Sequence, residues 1–538
     1  MTRHLVALFI LIQLSGVSNP VNSQVISGLA GRTDDAVNTV EVEFDGQKFG
    51  LREDQIVNLT VTPRKTPVPA LKYRLYPSMS SLRKGDAATL YHRAILFHRQ
   101  HRSARNAREN RLKKDRGEKV PFSQQTFDEL SDLLDKELTD AELSELKKYI
   151  DAEGQNMFNE IKLAATLRDC DWGFDVNEGR PLLEYISFLL PEIQEIRSLT
   201  RFLALRTKIQ VANNDFEGAV ETIRVGLKMA KATEDTRFMV CSLVGVACAN
   251  VMLHQMESMM GAKDSPNLYW ALETLPNPLL SVKTAVIYEI EFLRAGGGLK
   301  VFQNPEKQSH STKQWNELLI KDMDQLTQLL GDGVSHSKSD DLRKLQSLAI
   351  MLRGYPIAKR QLIEWGYDED KIESMPAVQV LAIHESRMLK IIADEILKCM
   401  NLDLKDALAR IEAVVGRMPV QVDLGQNKTG HYEELIPLAA NLLPAINAVL
   451  RAESRVARKI KFFQTVEALR IHAAVHKALP DSLEEITSVP VPINPDTGRP
   501  FIYRKMDDSC VLWEMSPTES KTNPMFPGTR VLKIKLRK

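Results

Sequence analysis

The chain has 538 residues, of which 26% are charged and 43% are hydrophobic, and its formal net charge is +1. These values are close to those of soluble globular proteins, so they exclude a globally disordered chain and allow a sizeable core. A nearly neutral chain has no overall charge that favours nucleic acid or an acidic surface. The length allows a few domains of roughly 100 to 200 residues each, or one extended helical array.

Residues 1–23 have the pattern of a secretory signal peptide. Met1 to His4 are basic, and Leu5 to Leu14 form an apolar run that is too short to span a membrane. Small or branched side chains at Val21 and Ser23 suit a cleavage pocket, which places the cut after Ser23. The alternative is an uncleaved anchor. We therefore expect a periplasmic or secreted protein with no transmembrane segment after cleavage.

Residues 24–85 are predicted to form a short β-hairpin and a proline-rich linker. The side chains of Thr39 to Phe44 alternate between polar and apolar, Asp45 and Gly46 supply a turn, and the strand pattern resumes from Gln47 to Leu51. Prolines at positions 63, 67, 69 and 77 then interrupt the chain.

Residues 86–295 are predicted to form a helical domain. Thr139 and Glu142 have the spacing of a capping box that starts a helix over 140–168. Residues 199–211 and 220–230 resemble one tetratricopeptide-like helix pair, although no 34-residue period continues it. The strongly apolar stretch from Phe238 to Met260 favours a buried core helix over a membrane span. Ser265, followed by a proline, is predicted to cap the next helix.

Three further regions complete the predicted organisation. Residues 296–340 are read as a flexible connection with one helix over 314–330. Residues 341–480 are read as a second helical region, with helices over 342–352, 361–365, 377–400, 404–415 and 438–477. Residues 481–538 contain prolines and alternating stretches, which predict a small β cap. The predicted fold class is therefore all-α, with irregular stacked helical hairpins like an α-α superhelix, a short N-terminal β-hairpin and a small C-terminal β cap.

The cysteines are expected to be buried apolar side chains. Cys241 and Cys248 stand seven residues apart on one predicted helix, which separates their Cα atoms by roughly 10 Å at about 1.5 Å per residue, too far for a disulfide. The spacing of the five cysteines also matches no zinc site. They are Cys170, Cys241, Cys248, Cys399 and Cys510.

A basic run lies on the first long predicted helix. Its spacing by three residues spreads the charges around the helix, and it lacks the aromatic side chains that stack on bases. A solvated helix face is therefore favoured over binding to an anionic envelope polymer. The run comprises Arg93, Arg99, Arg102, Arg105, Arg108, Arg111, Lys113, Lys114 and Arg116, interleaved with His98 and His101.

Two patterns have side chains that could bind a metal ion, and neither is complete. His472 and His476 are one helical turn apart, but no glutamate follows His472 and no third ligand is visible. Residues 169–178 are rich in oxygen ligands for calcium, yet Phe174 stands where the EF-hand loop has glycine and Arg180 where it has an acid. The loop is better read as an acidic surface loop, with Trp172 and Phe174 packed inward.

Several stretches resemble a family of exported, uncharacterised proteins of planctomycete-type bacteria. Their residues are of packing and turn types, so the resemblance implies an exported protein with a shared fold and carries no activity, catalytic residue, metal or cofactor. The matching stretches are 69–73, 168–173, 243–247, 271–276, 374–376 and 492–501.

These observations favour an exported helical scaffold or protein-interaction module that binds a protein or an envelope component, and not nucleic acid. The alternative is an enzyme acting on an envelope polymer, with distant acids such as Asp171 and Asp175 brought into one cleft. The C-terminal pattern also resembles the soluble end of pseudopilins, but the chain lacks their long N-terminal membrane helix.

Export is expected to remove residues 1–23 and leave Gln24 as the new N-terminus. The intact mass of the protein isolated from its native envelope fraction tests this prediction. A mass that retains the apolar run from Leu5 to Leu14 would instead identify an anchored protein.

Overall fold

A computed structural model describes most of the chain outside its first 38 residues. The predicted signal peptide and the predicted helix over 342–352 lie outside the described residues. These are 39–44, 47–52, 56–116, 132–134, 136, 138–173, 182–295, 299–329, 354–417, 443–514 and 530–537.

The described chain is mostly helical and carries a small mixed sheet. Its helices are α1 (Ala88–Arg116), α2 (Asp140–Ala164), α3 (Leu182–Ala212), α4 (Phe216–Ala232), α5 (Met239–Gly261), α6 (Tyr269–Glu273), α7 (Lys283–Arg294), α8 (Thr312–Leu329), α9 (354–364), α10 (Glu369–Glu373), α11 (Ala377–Met400), α12 (Leu404–Arg417) and α13 (Leu443–His476). The strands are β1 (Thr39–Phe44), β2 (Gln47–Arg52), β3 (Ile56–Val61), β4 (Arg83–Asp86), β5 (Leu167–Asp169), β6 (Ile502–Lys505), β7 (Ser509–Trp513) and β8 (Val531–Leu536).

The helices pack in successive pairs around one main core. α1 lies against α2, α3 lies against both α4 and α5, and α13 lies against α5 and α12. The main apolar cluster runs through these layers from Leu59 in β3 to Ile534 in β8. Burial of one apolar face by each helix is therefore the force that holds the layers together.

The predicted capping box of α2 is present. The Glu142 carboxylate accepts a hydrogen bond from the Thr139 N–H at 2.8 Å, and the Thr139 hydroxyl accepts one from the Glu142 N–H at 3.3 Å. The helix ends at Ala164, four residues before its predicted end. Residues 167–169 form β5, which pairs in parallel with β4, and this pairing stops the helix.

α3 and α4 form the predicted helix pair. The Asp215 side chain caps α4 by accepting a hydrogen bond from the Gly218 N–H at 3.0 Å. The Thr222 hydroxyl donates to Gln210 of α3 at 2.8 Å, and Ala219 is fully buried. The two helices therefore meet closely at the predicted turn.

α5 is the predicted core helix. Among the described residues it is the one helix whose length and composition would allow it to cross a membrane, and 72% of its most apolar window is buried in the protein. All five cysteines are buried and unlinked, and two of them, Cys241 and Cys248, lie on this helix. The interpretation as buried apolar side chains is confirmed.

The predicted cap at Ser265 is wrong. α6 begins at Tyr269, whose N–H donates to the Asn267 side chain at 3.1 Å. The Ser265 carbonyl and hydroxyl instead accept hydrogen bonds from Arg470, at 2.8 and 2.9 Å. Ser265, which the local sequence assigns to a helix cap, therefore forms a long-range contact with α13 instead.

A fully buried ion pair on α13 joins three separate parts of the chain. The Arg470 guanidinium contacts both carboxylate oxygens of Glu467, at 2.9 and 3.0 Å, and neither side chain is exposed. It also donates to the carbonyls of Thr62 and Pro266, at 3.0 and 3.1 Å. The guanidinium donors thus fix two other segments on α13, namely the segment that follows β3 and the loop before α6.

The terminal sheet differs from the predicted C-terminal cap. Its strand order is β3-β8-β7-β6, so the N-terminal strand β3 forms one edge and pairs in parallel with β8. β6, β7 and β8 pair antiparallel, as their alternation suggests. The segment from Ile56 to Val61, within the range predicted as a β-hairpin and proline-rich linker, therefore belongs to this sheet. The β1–β2 hairpin is present as predicted.

The turn before β6 is anchored on α13. The Asn494 side chain accepts the Asp496 N–H at 3.0 Å, and Gly498 has a φ of +72°, which favours glycine. This geometry directs the Asp496 carboxylate to Ser454 and Arg458 on α13. The Asn-Pro-Asp-Thr-Gly turn therefore attaches the C-terminal region to α13.

Replacement of Arg470 by methionine is expected to lower the free energy of unfolding by about 3–5 kcal/mol, because Glu467 would remain buried without its partner. Urea denaturation of the purified variant measures the loss. The matched control is Arg64→Met, which removes an exposed pair with Asp264 and should cost about 1 kcal/mol or less. Adding Glu467→Gln to Arg470→Met should recover part of the loss. Equal effects at Arg470 and Arg64 would contradict this account.

Candidate functional site

The candidate site is built around a short 3-10 helix, Thr233–Thr236, which links α4 to α5. It is pressed against α5, because a Cβ on Gly245 would lie 2.1 Å from the Thr233 hydroxyl and 2.8 Å from the Ala230 carbonyl oxygen. Glycine at 245 therefore permits this close approach. The turn carries two acids, Glu234 and Asp235, which face different sets of titratable groups.

Glu234 meets Glu453 of α13 at the start of α7. The Glu234 carboxylate accepts the Ser281 N–H at 2.5 Å, and the Glu453 carboxylate accepts the next N–H, that of Val282, at 2.8 Å. Lys231 bonds to Glu234 at 3.1 Å and to the Leu279 carbonyl at 3.0 Å. Two carboxylates from distant parts of the chain thus share the positive N-terminal end of one helix.

Burial changes the acidity of this carboxylate pair. The pKa of Glu453 is raised to about 7, mainly by burial and also by the charge of Glu234, whereas the hydrogen bond from Val282 opposes this shift. Burial also raises the pKa of Glu234, whereas the neighbouring Lys231 lowers it. A carboxyl group with a pKa near neutrality can exchange a proton at neutral pH, which is the property of a general acid or base.

Asp235 faces a second set of groups, between α4 and α1. The Lys228 amine donates to the Arg168 carbonyl at 3.4 Å and lies 5.9 Å from the centre of the Tyr76 ring. Burial lowers the pKa of Lys228, and the charge of Asp235 opposes this shift. Burial also raises the pKa of Cys170 and of Tyr76 well above their usual values, so both groups stay neutral.

An aromatic stack closes this side of the site. The rings of Tyr91 and Trp172 are stacked with their centres 5.7 Å apart, and the Trp172 indole N–H donates to the Ala232 carbonyl at 2.8 Å. Tyr91 is fully buried, and in the part of the chain that the structure describes its hydroxyl has no hydrogen-bond partner. We call the whole set the polar seam, and it comprises Tyr76, Tyr91, Cys170, Lys228, Lys231, Glu234, Asp235 and Glu453.

A third carboxylate, that of the half-buried Glu289, lies on α7. Glu289 accepts the N–H of Met239, the first residue of α5, at 2.6 Å. Burial raises the pKa of Glu289 to about 7, although the hydrogen bond from Met239 lowers it. The half-buried Glu289 and the buried Glu453 thus both accept hydrogen bonds at helix starts, and each has a pKa of about 7.

Of the acids named from sequence, Asp171 lies at the edge of the polar seam. Its carboxylate accepts the Gly173 N–H at 2.9 Å, and its own N–H donates to the Asp86 carboxylate at 2.8 Å. Asp175 lies outside the described residues, as does Phe174, and Trp172 is buried as predicted. The described residues contain no group of three or more His, Cys, Asp or Glu side chains that could hold a metal ion.

The two predicted histidine positions do meet. The rings of His472 and His476 are stacked with their centres 4.3 Å apart. Burial lowers the pKa of His472, and the neighbouring His476 lowers it further. The contact is a ring stack between the buried His472 and the exposed His476 at the C-terminal end of α13.

The first residues of the basic run on α1 do not form the solvated face that the sequence predicted. His98 is buried and lies 2.8 Å from the Glu195 carboxylate, and Arg99 lies 3.2 Å from the same group. Arg93 pairs with Glu160 of α2 at 2.8 Å. The expectation of a solvated face is therefore wrong for His98, because acids on α2 and α3 pair with this part of the run. The side chains of Arg102 and of residues 104–116 lie outside the description.

Sequence reasoning missed the members of the polar seam other than Cys170. The available signal was a charged residue within an apolar helix face, as at Lys228 in α4 and at Glu453 in α13. Their partners could not be read from local spacing. No protein-family model, curated protein or solved structure matches this chain.

The stability of the protein should fall as pH rises from 5 to 8. Glu289 and Glu453 have folded-state pKa values of about 7, above their usual 4.5. Their stabilising contribution is present below pH 4.5 and is lost as pH rises through 7. Each contributes on the order of 2 kcal/mol to this change.

Thermal melts between pH 5 and 8 measure this slope. Glu289→Gln and Glu453→Gln keep an oxygen acceptor and remove the titration, so each should flatten the curve and raise the melting temperature at pH 8 relative to the parent. Glu291→Gln, on the exposed side of α7, is the matched control and should leave the slope unchanged. A parent curve that rises towards pH 8 would contradict the assigned acidities.

Proposed function

We propose that the protein is an exported helical scaffold whose outer surface binds a partner protein or an envelope component. The supporting observation is that buried and half-buried charges form hydrogen bonds between separate segments of the chain. Lys228 and Lys231 bond to carbonyls of other segments, and Glu234 and Glu453 bond to N–H groups before α7. Each charge thus fixes one helix relative to another, which makes the surface rigid before a partner arrives.

The proposal includes the arrangement of the layers and the place of action. The helices would form irregular stacked hairpins like an α-α superhelix, of which α3 and α4 are one tetratricopeptide-like pair. Such stacking supports an extended surface for a partner. The signal-like residues 1–23 support a periplasmic or secreted protein.

Affinity purification of the tagged protein from its own envelope fraction tests the scaffold proposal. We expect a defined component to co-purify in a fixed ratio, to compete with untagged protein, and to be absent from heat-unfolded bait. Glu453→Gln should retain the same component, because Glu453 is only 2% exposed. The absence of any saturable component would contradict the proposal.

A second candidate is an enzyme acting on an envelope polymer, and the pair Glu234 and Glu453 specifically favours it. Two carboxyl groups with raised pKa values are suited to hold and release a proton during hydrolysis. In this alternative Glu453 is the proton donor and Glu234 its charged neighbour. Release of soluble fragments from isolated envelope polymer, abolished by Glu453→Gln in a folded variant, would favour the enzyme over the scaffold.

A further inference from the structure

An arginine on α11 lies against two aromatic rings at the surface. The central carbon of the Arg387 guanidinium, Cζ, is 5.2 Å from the centre of the Trp365 ring and 5.3 Å from the centre of the Tyr367 ring. All three side chains are half-buried, so part of each remains accessible to a partner. Attraction between a cation and a ring face does not itself use N–H donors. We call these three side chains the arginine stack.

The turn at the end of α9 brings the two rings to the same guanidinium. The Gly366 N–H donates to the Ile363 carbonyl at 2.9 Å, and the Tyr367 N–H donates to the Leu362 carbonyl at 3.0 Å. These two bonds form a Schellman motif, and Gly366 has a φ of +91°, which glycine adopts readily. The backbone therefore fixes the residues before and after this glycine, Trp365 and Tyr367.

Contacts behind the rings hold them in place. The Trp365 ring is stacked on the His384 ring, with centres 5.4 Å apart and planes 4° apart. His384 is buried and is hydrogen-bonded to Gln361 at 2.5 Å. The Tyr367 hydroxyl donates to the Glu306 carboxylate. The arginine stack is thus positioned before any partner arrives, which lowers the entropic cost of binding.

The guanidinium of the stack has no carboxylate partner within the described ranges, where no Asp or Glu pairs with Arg387 within 4 Å. A hydrogen bond from Arg387 reaches the Tyr367 hydroxyl, which leaves further N–H donors for a ligand. Ile391 follows four residues later on the same face of α11 and is 45% exposed. α11 therefore presents unused donors beside an exposed apolar side chain.

We propose that the arginine stack and Ile391 are the surface on which the protein docks an acidic segment of a partner protein, an inference that rests on the proposed scaffold function. The guanidinium binds a carboxylate of the partner through its remaining N–H donors. An aliphatic side chain next to that acid packs on Ile391. Tryptophan, tyrosine and arginine are also the side chains that contribute most to binding at protein interfaces.

The charges around the stack favour a peptide over an anionic polymer. Glu306 is bonded to one ring, Glu364 precedes the other in the chain, and both are exposed. A polymer with closely spaced negative charges would meet these carboxylates and be repelled. A peptide with one acid next to an apolar side chain matches both Arg387 and Ile391.

Selection of a displayed random peptide library on the folded full-length protein tests this surface. Enriched peptides should carry Glu or Asp next to Leu, Ile or Val. A synthetic peptide of the most enriched sequence should bind the parent protein in fluorescence anisotropy. Replacing its acid by the amide, or Arg387→Gln in the protein, should each weaken binding at least about 10-fold. The two changes together should weaken it little further, because both remove the same contact.

The matched control is Arg294→Gln on α7, whose guanidinium is paired with Asp394 at 3.2 Å, and it should leave the affinity unchanged. Arg387→Lys keeps the charge and serves if the glutamine variant does not fold. It should also weaken binding, because an ammonium cannot form paired planar bonds to a carboxylate. The proposal is overturned if the enriched peptides lack an acid, if Arg387→Gln binds as the parent does, or if Arg387 is needed for binding polygalacturonate but no peptide.

The purification from the envelope fraction separates this inference from the scaffold proposal. Bait with Arg387→Gln should lose the component that the parent bait retains. A component retained equally by both baits would overturn this docking surface and leave the scaffold proposal standing. A parent bait that captures no saturable component would overturn the scaffold proposal itself.

Discussion

The fold depends on the buried pair of Glu467 and Arg470 at the centre of the C-terminal half of α13. Bringing both charges out of water is costly, and it is offset only because the guanidinium also reaches carbonyls of two other segments. Those bonds place residue 62 beside α13 directly after β3 has left the sheet. β3, the loop before α6 and α13 are therefore held in fixed positions relative to one another. Apolar burial is not directional. On its own it would allow these segments to slide past one another at little cost in free energy.

The polar seam follows the same rule at a second junction. Helix starts present N–H groups without partners, and buried carboxylates from neighbouring helices accept them. This use explains why acids lie inside an otherwise apolar structure, and it also displaces their acidity. The geometry of Glu234 and Glu453 is therefore compatible with two roles: fixing the helices relative to one another and exchanging protons. Glu453, which takes part in this junction, has a pKa of about 7, so its protonation changes near neutral pH.

Sequence patterns predicted the features that depend on neighbouring residues. The capping box at Thr139, the bounds of α11 and the strands after Pro500 follow from spacing of three, four or two residues. Features that depend on distant partners were missed. The pairing of β3 with β8, the binding of Ser265 by Arg470 and the meeting of Glu234 with Glu453 join segments that share no local period. A charged residue on an apolar face signals such a contact without naming its partner.

The parallel pairing of β3 with β8 has a consequence for the order of folding. β8 (Val531–Leu536) follows β3 (Ile56–Val61) at a very large separation along the chain, and it lies between β3 and β7 in the sheet. Both neighbours therefore keep an unpaired edge until residues 531–536 are available. Contacts of such large sequence separation form slowly, and open strand edges associate with other chains. During synthesis, β3 therefore remains without its sheet partner until β8 has emerged, and its open edge is exposed to other chains throughout that interval.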